Sequence, residues 1–265
     1  MSKTNTAPRM PVLFVGHGSP MNAIENNVWS RGFQKLGASL PTPSAILAVS
    51  AHWYVGATLL TNNEHPETIH DFGGFPRQLH EVEYPARGST DLAGRVVDLL
   101  ASHKAARSED WGLDHGTWSV LCHLRPEADV PVVQLSIDRR LSPNEHLAIG
   151  HALTPLRDQG VLIMASGNVT HNLGHAMRSM HTGDTTRPAW AATFDREIEN
   201  ALDQHDHTRL AKSITTDAGR LSHPSPDHYL PLLYAAGAAN DNDRISYPVS
   251  GWDLGSLSMR SVQFG

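Results

Sequence analysis

Three continuous apolar runs in this chain each lead into a histidine set among small or polar residues. They read Pro11-Val-Leu-Phe-Val-Gly-His17-Gly-Ser-Pro20, Ala45-Ile-Leu-Ala-Val-Ser-Ala-His52-Trp53 and Val161-Leu-Ile-Met-Ala-Ser-Gly-Asn-Val-Thr-His171-Asn172. Short runs of this kind, rich in Val, Ile and Leu, suit strands buried on both faces, as in a parallel sheet. Helical patterns lie between them, over 27–39, 89–102, 142–158, 188–205 and 226–239. Strands alternating with helices predict one α/β domain over residues 10–265, with a mostly parallel central sheet covered by helices. No Gly/Ser-rich or charge-rich linker divides the chain, and the polar residues 1–9 read as a flexible N-terminus.

An open α/β sheet binds ligands in the crevice beyond the carboxyl ends of its strands. Imidazole is the commonest side chain for holding a transition metal in such a place. If the first two strands are neighbours, their tips lie about 5 Å apart, within reach of a shared ion. The glycines flanking His17 allow a sharp turn there. His228, in Ser225-Pro-Asp-His-Tyr-Leu-Pro-Leu-Leu-Tyr234, falls in the first turn of a helix begun by Ser225 and Pro226. Its neighbour Asp227 would then sit about 100° round that helix and point elsewhere. His115, in Asp114-His-Gly-Thr-Trp118, is a loop histidine beside an acid, suited to proton transfer or to capping the helix that follows.

Seventeen histidines is a high count, and most need no chemical role. His103, His146, His151, His205 and His207 stand in polar or helical-surface contexts, and His175 and His181 in a Gly/Ser/Thr-rich loop; each reads as a solvated or core-satisfied histidine. The long stretch from Asn62 to Arg87 contains Thr68-Ile-His-Asp-Phe-Gly-Gly-Phe-Pro76, too aromatic for simple disorder. A short strand over 56–61 is expected to pair beside the second apolar run. The formal net charge of -6, without basic stripes or polybasic runs, gives no reason to expect a nucleic-acid or membrane partner. The lone Cys122 excludes an internal disulfide and fits a reducing compartment; with no apolar leader in the first nine residues, the cytoplasm is the expected location.

Six motifs occur in order: Gly16-His-Gly-Ser-Pro20, Ser50-Ala-His-Trp53, Thr68 to Pro76, Asp114 to Trp118, Gly167-Asn-Val-Thr-His-Asn172 and Pro226 to Tyr234. Together they resemble the class III extradiol ring-cleavage dioxygenases, in particular the 4,5-DOPA dioxygenase branch, from about Met10 to Met259. The resemblance implies that family's α/β fold, one bound divalent metal, and opening of a catechol ring by dioxygen to a semialdehyde. It implies His17, His52 and His228 as metal ligands, and His171 as a base or fourth ligand. It implies a proton-transfer or substrate-binding role for His115. The loop of His70, Asp71 and Phe72 would cover the ring, and Asn172 and Tyr229 are further candidates for substrate contact.

Relatives that cleave protocatechuate supply a glutamate where this chain has His228. Three neutral imidazoles leave an ion its full charge, which favours a dianionic catecholate but also suits zinc. Iron(II) is therefore expected for activity, with zinc(II) plausible as a bound ion. An acidic substrate tail would need a cation, for which Arg77 and Arg187 are candidates in sequence only. Two rival readings stand beside this one. A zinc hydrolase or tetrapyrrole metal chelatase would use Gly-His-Gly-Ser but leave the Asn168–His171 and His228 motifs idle. A non-enzymatic protein of the same fold would keep the pocket only for binding.

Overall fold

The apolar runs become the interior strands of an eight-stranded sheet in this computed structural model, which describes residues 9–265. In chain order the strands are β1 Val12–Gly16, β2 Ala45–Val55, β3 Leu59–Thr61, β4 Ala106–Ser108, β5 Val132–Asp138, β6 Val161–Gly167, β7 Ile245–Val249, β8 Trp252–Asp253, β9 Leu257–Ser258 and β10 Ser261–Phe264. The sheet order is β4-β3-β5-β2-β6-β1-β10-β7, and β8 with β9 forms a separate pair. The central strands β5, β2, β6 and β1 run parallel, while β10 and β7 complete one side antiparallel. The flexible N-terminus expected over residues 1–9 lies, apart from Arg9, outside the described residues; Arg9 itself is ion-paired to Asp158 at 2.6 Å.

Because side chains alternate across a strand, each apolar run feeds two cores at once. Phe14, Leu47, Leu135 and Ile163 enter one layer, whereas Leu13, Ile46, Val132 and Leu162 enter the other. The first layer is closed by α3 (Thr90–Leu99), α5 (Pro143–Leu153), α8 (Ala189–Asp203) and α11 (Leu230–Ala238), which bring Val96, Ile149, Ile198 and Leu233. The second is closed by α1 (Val28–Ser39) and α4 (His115–Leu124), which bring Phe33, Trp118 and Leu121. The remaining helices are short or peripheral: α2 (Arg77–His80), α6 (Pro155–Asp158), α7 (Leu173–Thr182), α9 (His207–Ser213) and α10 (Asp217–Ser222).

Four local expectations are corrected. The segment 56–61 pairs with β5 and β4 rather than β2, because β2 is already flanked by β5 and β6. His175 and His181 belong to α7, capped by Asn172, not to a loop. The helix predicted from Pro226 starts only at Leu230, since residues 227–229 form a turn. His146 is fully buried and bonds the Tyr234 hydroxyl at 3.0 Å, so it is not a surface histidine.

One topological difference reaches the site. β1 and β2 are not neighbours, because β6 runs between them. Their tips therefore lie two strand spacings apart, roughly 10 Å. The gap is closed by side chains and by an irregularity in β2. Val49 pairs with Leu135 and Tyr54 with Ile137, so four β2 residues face a single residue of β5. That bulge re-aims Ser50 to Trp53, as bulges beside functional sites do.

Candidate active site

The carboxyl ends of β1, β2 and β6 share one rim of the sheet, with Gly16 opposite Gly167 and Ser50 opposite Ser166. His17 follows β1, its backbone N–H donating to the Gly167 carbonyl at 3.0 Å. His52 sits on the β2 bulge, within the strand rather than after it. His228 arrives from the turn before α11, whose approach depends on Gly167. A Cβ at that glycine would stand 2.2 Å from the His228 carbonyl oxygen, which instead accepts from the Asn168 N–H at 2.9 Å.

Ring nitrogens of His17, His52 and His228 all lie within 4.8 Å of one another. Each Nδ1 is engaged behind the cluster. His17 Nδ1 is 2.9 Å from Ser166 Oγ, whose own hydrogen goes to the Gly116 carbonyl. His52 Nδ1 lies 3.2 Å from Asp71 Oδ2, and His228 Nδ1 2.5 Å from Asp227 Oδ2. With the Nδ1 hydrogens donated to these oxygens, each Nε2 keeps its lone pair for the centre, the arrangement typical of metal-binding imidazoles.

The donor set fits one divalent ion. His17 and His52 Nε2 are 3.3 Å apart. Two lone pairs would repel at that distance, whereas two nitrogens each about 2.0–2.1 Å from a tetrahedral ion are separated by roughly 3.3 Å. The His228 Nε2 is buried without any hydrogen-bond partner, a state that costs free energy unless something is bound there. Burial, and then the neighbouring imidazoles, hold His17 and His228 well below the usual histidine range. Burial first, with His115 adding, brings His52 down to about 3. All three are neutral near pH 7, as ligands must be.

Asp227 corrects the geometry expected of it. A turn rather than a helix carries it, so it reaches its neighbour's ring instead of pointing 100° away. Asp71 is likewise a positioning group more than a substrate contact. One oxygen accepts from both the backbone N–H and Nδ1 of His115, each at 2.9 Å, and the other faces His52. Burial works against its charge, yet the hydrogen bonds from His115 outweigh that and bring the carboxyl to about 2. Beneath this pair, Asp114 is buried among Ser50, Gln134 and Trp111 and is pushed up to about 6 by that burial. Neither Ser166 nor Gln134 carried any sequence signal, because a lone polar residue in an apolar strand looks like a packing detail.

His171 lies flat on His228, ring centroids 3.5 Å apart and planes within 1°. Stacked parallel rings do not converge on one point, and His171 falls outside the ligand cluster. Burial brings it down to about 4, so it is neutral and able to accept a proton. His115, buried, stands with its ring 3.8 Å from that of His52.

These histidines line the inner end of a cavity of about 620 Å³ whose walls include Pro20, Met21, Trp29, Phe72, Phe75 and Leu257. Besides Asp71, three expected substrate contacts are absent from it. His70 packs against Trp118 and Phe72 and bonds the Val82 carbonyl at 3.0 Å. Asn172 spends its amide on the Leu221 carbonyl and its oxygen on the His175 N–H, capping α7. Tyr229 is wholly buried, its hydroxyl donating to the Leu210 carbonyl. Phe72 does line the cavity.

The sequence profile of the family described as the catalytic LigB subunit of aromatic ring-opening dioxygenase matches residues 11–254. The chain is 46% identical over 267 residues to the 4,5-DOPA dioxygenase extradiol of Escherichia coli (strain K12), covering 98% of this chain and 96% of that one. It is 38% identical over 260 residues to the protein of the same name from Beta vulgaris, covering 95% of each. The crystal structure of an uncharacterized Escherichia coli K12 protein superposes with a TM-score of 0.85 at 43% identity, over 97% of this chain and 100% of that one.

Proposed function

The chain belongs to the family of the catalytic LigB subunit of aromatic ring-opening dioxygenases, and from that premise we propose a DOPA-like catechol as substrate and iron(II) as the working ion. The chain is an extradiol ring-cleaving dioxygenase. Neither the hydrolase or chelatase reading nor the non-catalytic one is favoured beside that membership. Dioxygenases of this family work with a single metal, and His17, His52 and His228 are the residues that would hold it. Bound there, iron(II) supplies the electron relay between catecholate and dioxygen that zinc, lacking an accessible second oxidation state, does not.

The chain's own residues account for the rest. Phe72, Phe75, Met21 and Leu257 form apolar walls that take an aromatic ring and keep bulk water from it. The ring's hydroxyls face the converging Nε2 atoms at the cavity's inner end. His171 receives a phenolic proton on its imidazole, a role its neutrality and its place beside the cluster support. The proton taken up by His171 is the one returned as the ring opens, while His115, its Nδ1 hydrogen committed to Asp71, presents an unprotonated Nε2 that can accept from the substrate. The compartment that suits this reading is the reducing cytoplasm, with Cys122 an inert thiol whose burial pushes it up to about 11. Among the described residues no helix is long and apolar enough to cross a membrane.

The observation that carries the proposal is the convergence of three Nε2 atoms, from buried His17 and His228 and half-buried His52, each backed by an oxygen on Nδ1. Its test is anaerobic reconstitution of metal-free protein with iron(II) or zinc, followed by a catechol panel in air. Oxygen uptake equimolar with ring-opened product, with iron alone, is expected; no uptake with any catechol would overturn it. In the same assay His171→Gln should keep its metal and lose about 10²–10⁴ in kcat, the range for a general base. Loss of metal instead would make His171 a ligand.

A further inference from the structure

We propose that the cavity selects its catechol by a cationic tail: Glu25 and Asp253 hold an ammonium group, and a carboxylate on the same tail has no partner. The inference rests on the reading that the catechol hydroxyls sit at the histidine cluster. It concerns the acidic residues in the lining of the same cavity.

Apart from histidines, the only ionisable side chains lining that cavity among the described residues are Glu25 and Asp253; no lysine or arginine lines it. Neither carboxylate has an ion-pair partner among the described residues. Burial, and then the charge of Glu25, raise the Asp253 carboxyl. Asp253 is half-buried and Glu25 exposed; two unneutralised acids lining one cavity repel each other, and a cation between them relieves that repulsion.

Glu25 is held in place rather than left to wave. Asn27 Nδ2 lies 3.1 Å from Glu25 Oε2 and 2.8 Å from Asn22 Oδ1, and Asn22 donates in turn to the His17 carbonyl at 2.9 Å. Trp29 lines the same cavity, packed so close to Gly251 that a Cβ there would come within 2.6 Å of its ring. An indole face beside two carboxylates is a favourable environment for an ammonium group. At the inner end the buried, unpartnered His228 Nε2 marks where the rest of the ligand belongs.

The two cations the sequence offered for an acidic tail do not line the cavity. Arg77 pairs with Glu81 at 2.6 Å on the surface, and Arg187 lies over Trp252, 5.0 Å from the ring centroid. A catechol whose tail is a primary amine thus finds more here than one whose tail is a carboxylic acid. An amino-acid tail gains from its ammonium alone.

The test compares 4-methylcatechol, 4-(2-aminoethyl)catechol and 3-(3,4-dihydroxyphenyl)propanoate. Two readouts are taken: anaerobic binding to the zinc-loaded protein, and kcat/KM for oxygen uptake by the iron-loaded protein. The amine should exceed the propanoate by about ten-fold or more in both, the size of a charge-assisted contact. A double variant, Glu25→Gln with Asp253→Asn, should bring that ratio close to one. Equal or reversed preference in the wild-type protein would overturn the inference, as would a ratio unchanged in a folded double variant. Should the double variant fail to fold, the wild-type series decides alone. Absence of oxygen uptake with all three catechols would strike the proposed function instead, and the anaerobic binding ratio would still decide this one.

Discussion

Two sets of buried histidines occupy this protein, and only one of them makes a site. His146 and His223 are 0% and 5% exposed, against 1% and 5% for His17 and His228. Burial lowers the basicity of all four. The difference lies in where the ring nitrogens go. His146 bonds the Tyr234 hydroxyl, His223 the Val169 carbonyl, and each leaves its other nitrogen without a partner. Those single contacts tie helices to the core. At the rim, each Nδ1 has an oxygen behind it and the Nε2 atoms converge. Depth and lowered basicity are common to both sets, so convergence backed by fixed acceptors is what distinguishes a metal centre.

That contrast breaks most directly by substitution. Replacing His17, His52 or His228 with Ala should cut metal affinity by more than about 100-fold, beyond what losing an outer partner costs. His146→Asn and His223→Asn should retain a full complement, measured as metal per chain after dialysis. Equal loss in both sets would erase the distinction. A smaller effect is expected from the carboxylates behind the rings. Asp71→Asn or Asp227→Asn should lower metal affinity or kcat/KM by about 10–100-fold with the fold intact by circular dichroism. An effect of Asp71→Asn on stability alone would make it structural.

The mildest test uses acid. His146 and His223 both sit at about 4 in the folded protein because of burial, against about 6.5 when unfolded. Between those values the unfolded chain binds protons that the native one refuses, so stability is complete above pH 6.5 and falls as pH drops toward 4. Each group accounts for on the order of 3 kcal/mol across that window. Urea midpoints of metal-free protein from pH 7.5 to 4.5 should fall accordingly, and the fall should be shallower in His146→Gln. An unchanged slope would mean that His146 is protonated in the native state.

Much of the fold was legible because its signals are local. The runs 12–16, 45–49 and 161–167 are apolar at every position or nearly so, which only a doubly covered strand demands. The helices expected over 142–158 and 27–39 start where the structure has capping boxes, Ser142 with Glu145 and Asn27 with Ser30. The errors cluster where spacing was used to infer direction. Asn172 and Tyr229 stand next to histidines of the site, but Asn172 is spent on capping α7 and Tyr229 is buried with its hydroxyl on Leu210. His70 belongs to the same loop as Asp71 and Phe72, yet it faces Trp118.

By itself, then, the chain determined that histidines would stand at the ends of buried strands, since burial on both faces and the turn that follows are written in consecutive residues. It also determined which six motifs share the family's pattern. Only the tertiary structure decided that β6 would separate β1 from β2, and that a bulge would carry His52 across to His17. It alone chose Ser166, Asp71 and Asp227 as the oxygens behind the rings, and left Glu25 and Asp253 as the acids of the cavity. The reason is physical: strand formation depends on near neighbours, whereas hydrogen-bond partners such as His17 and Ser166, 149 positions apart, meet only through the order in which strands pack.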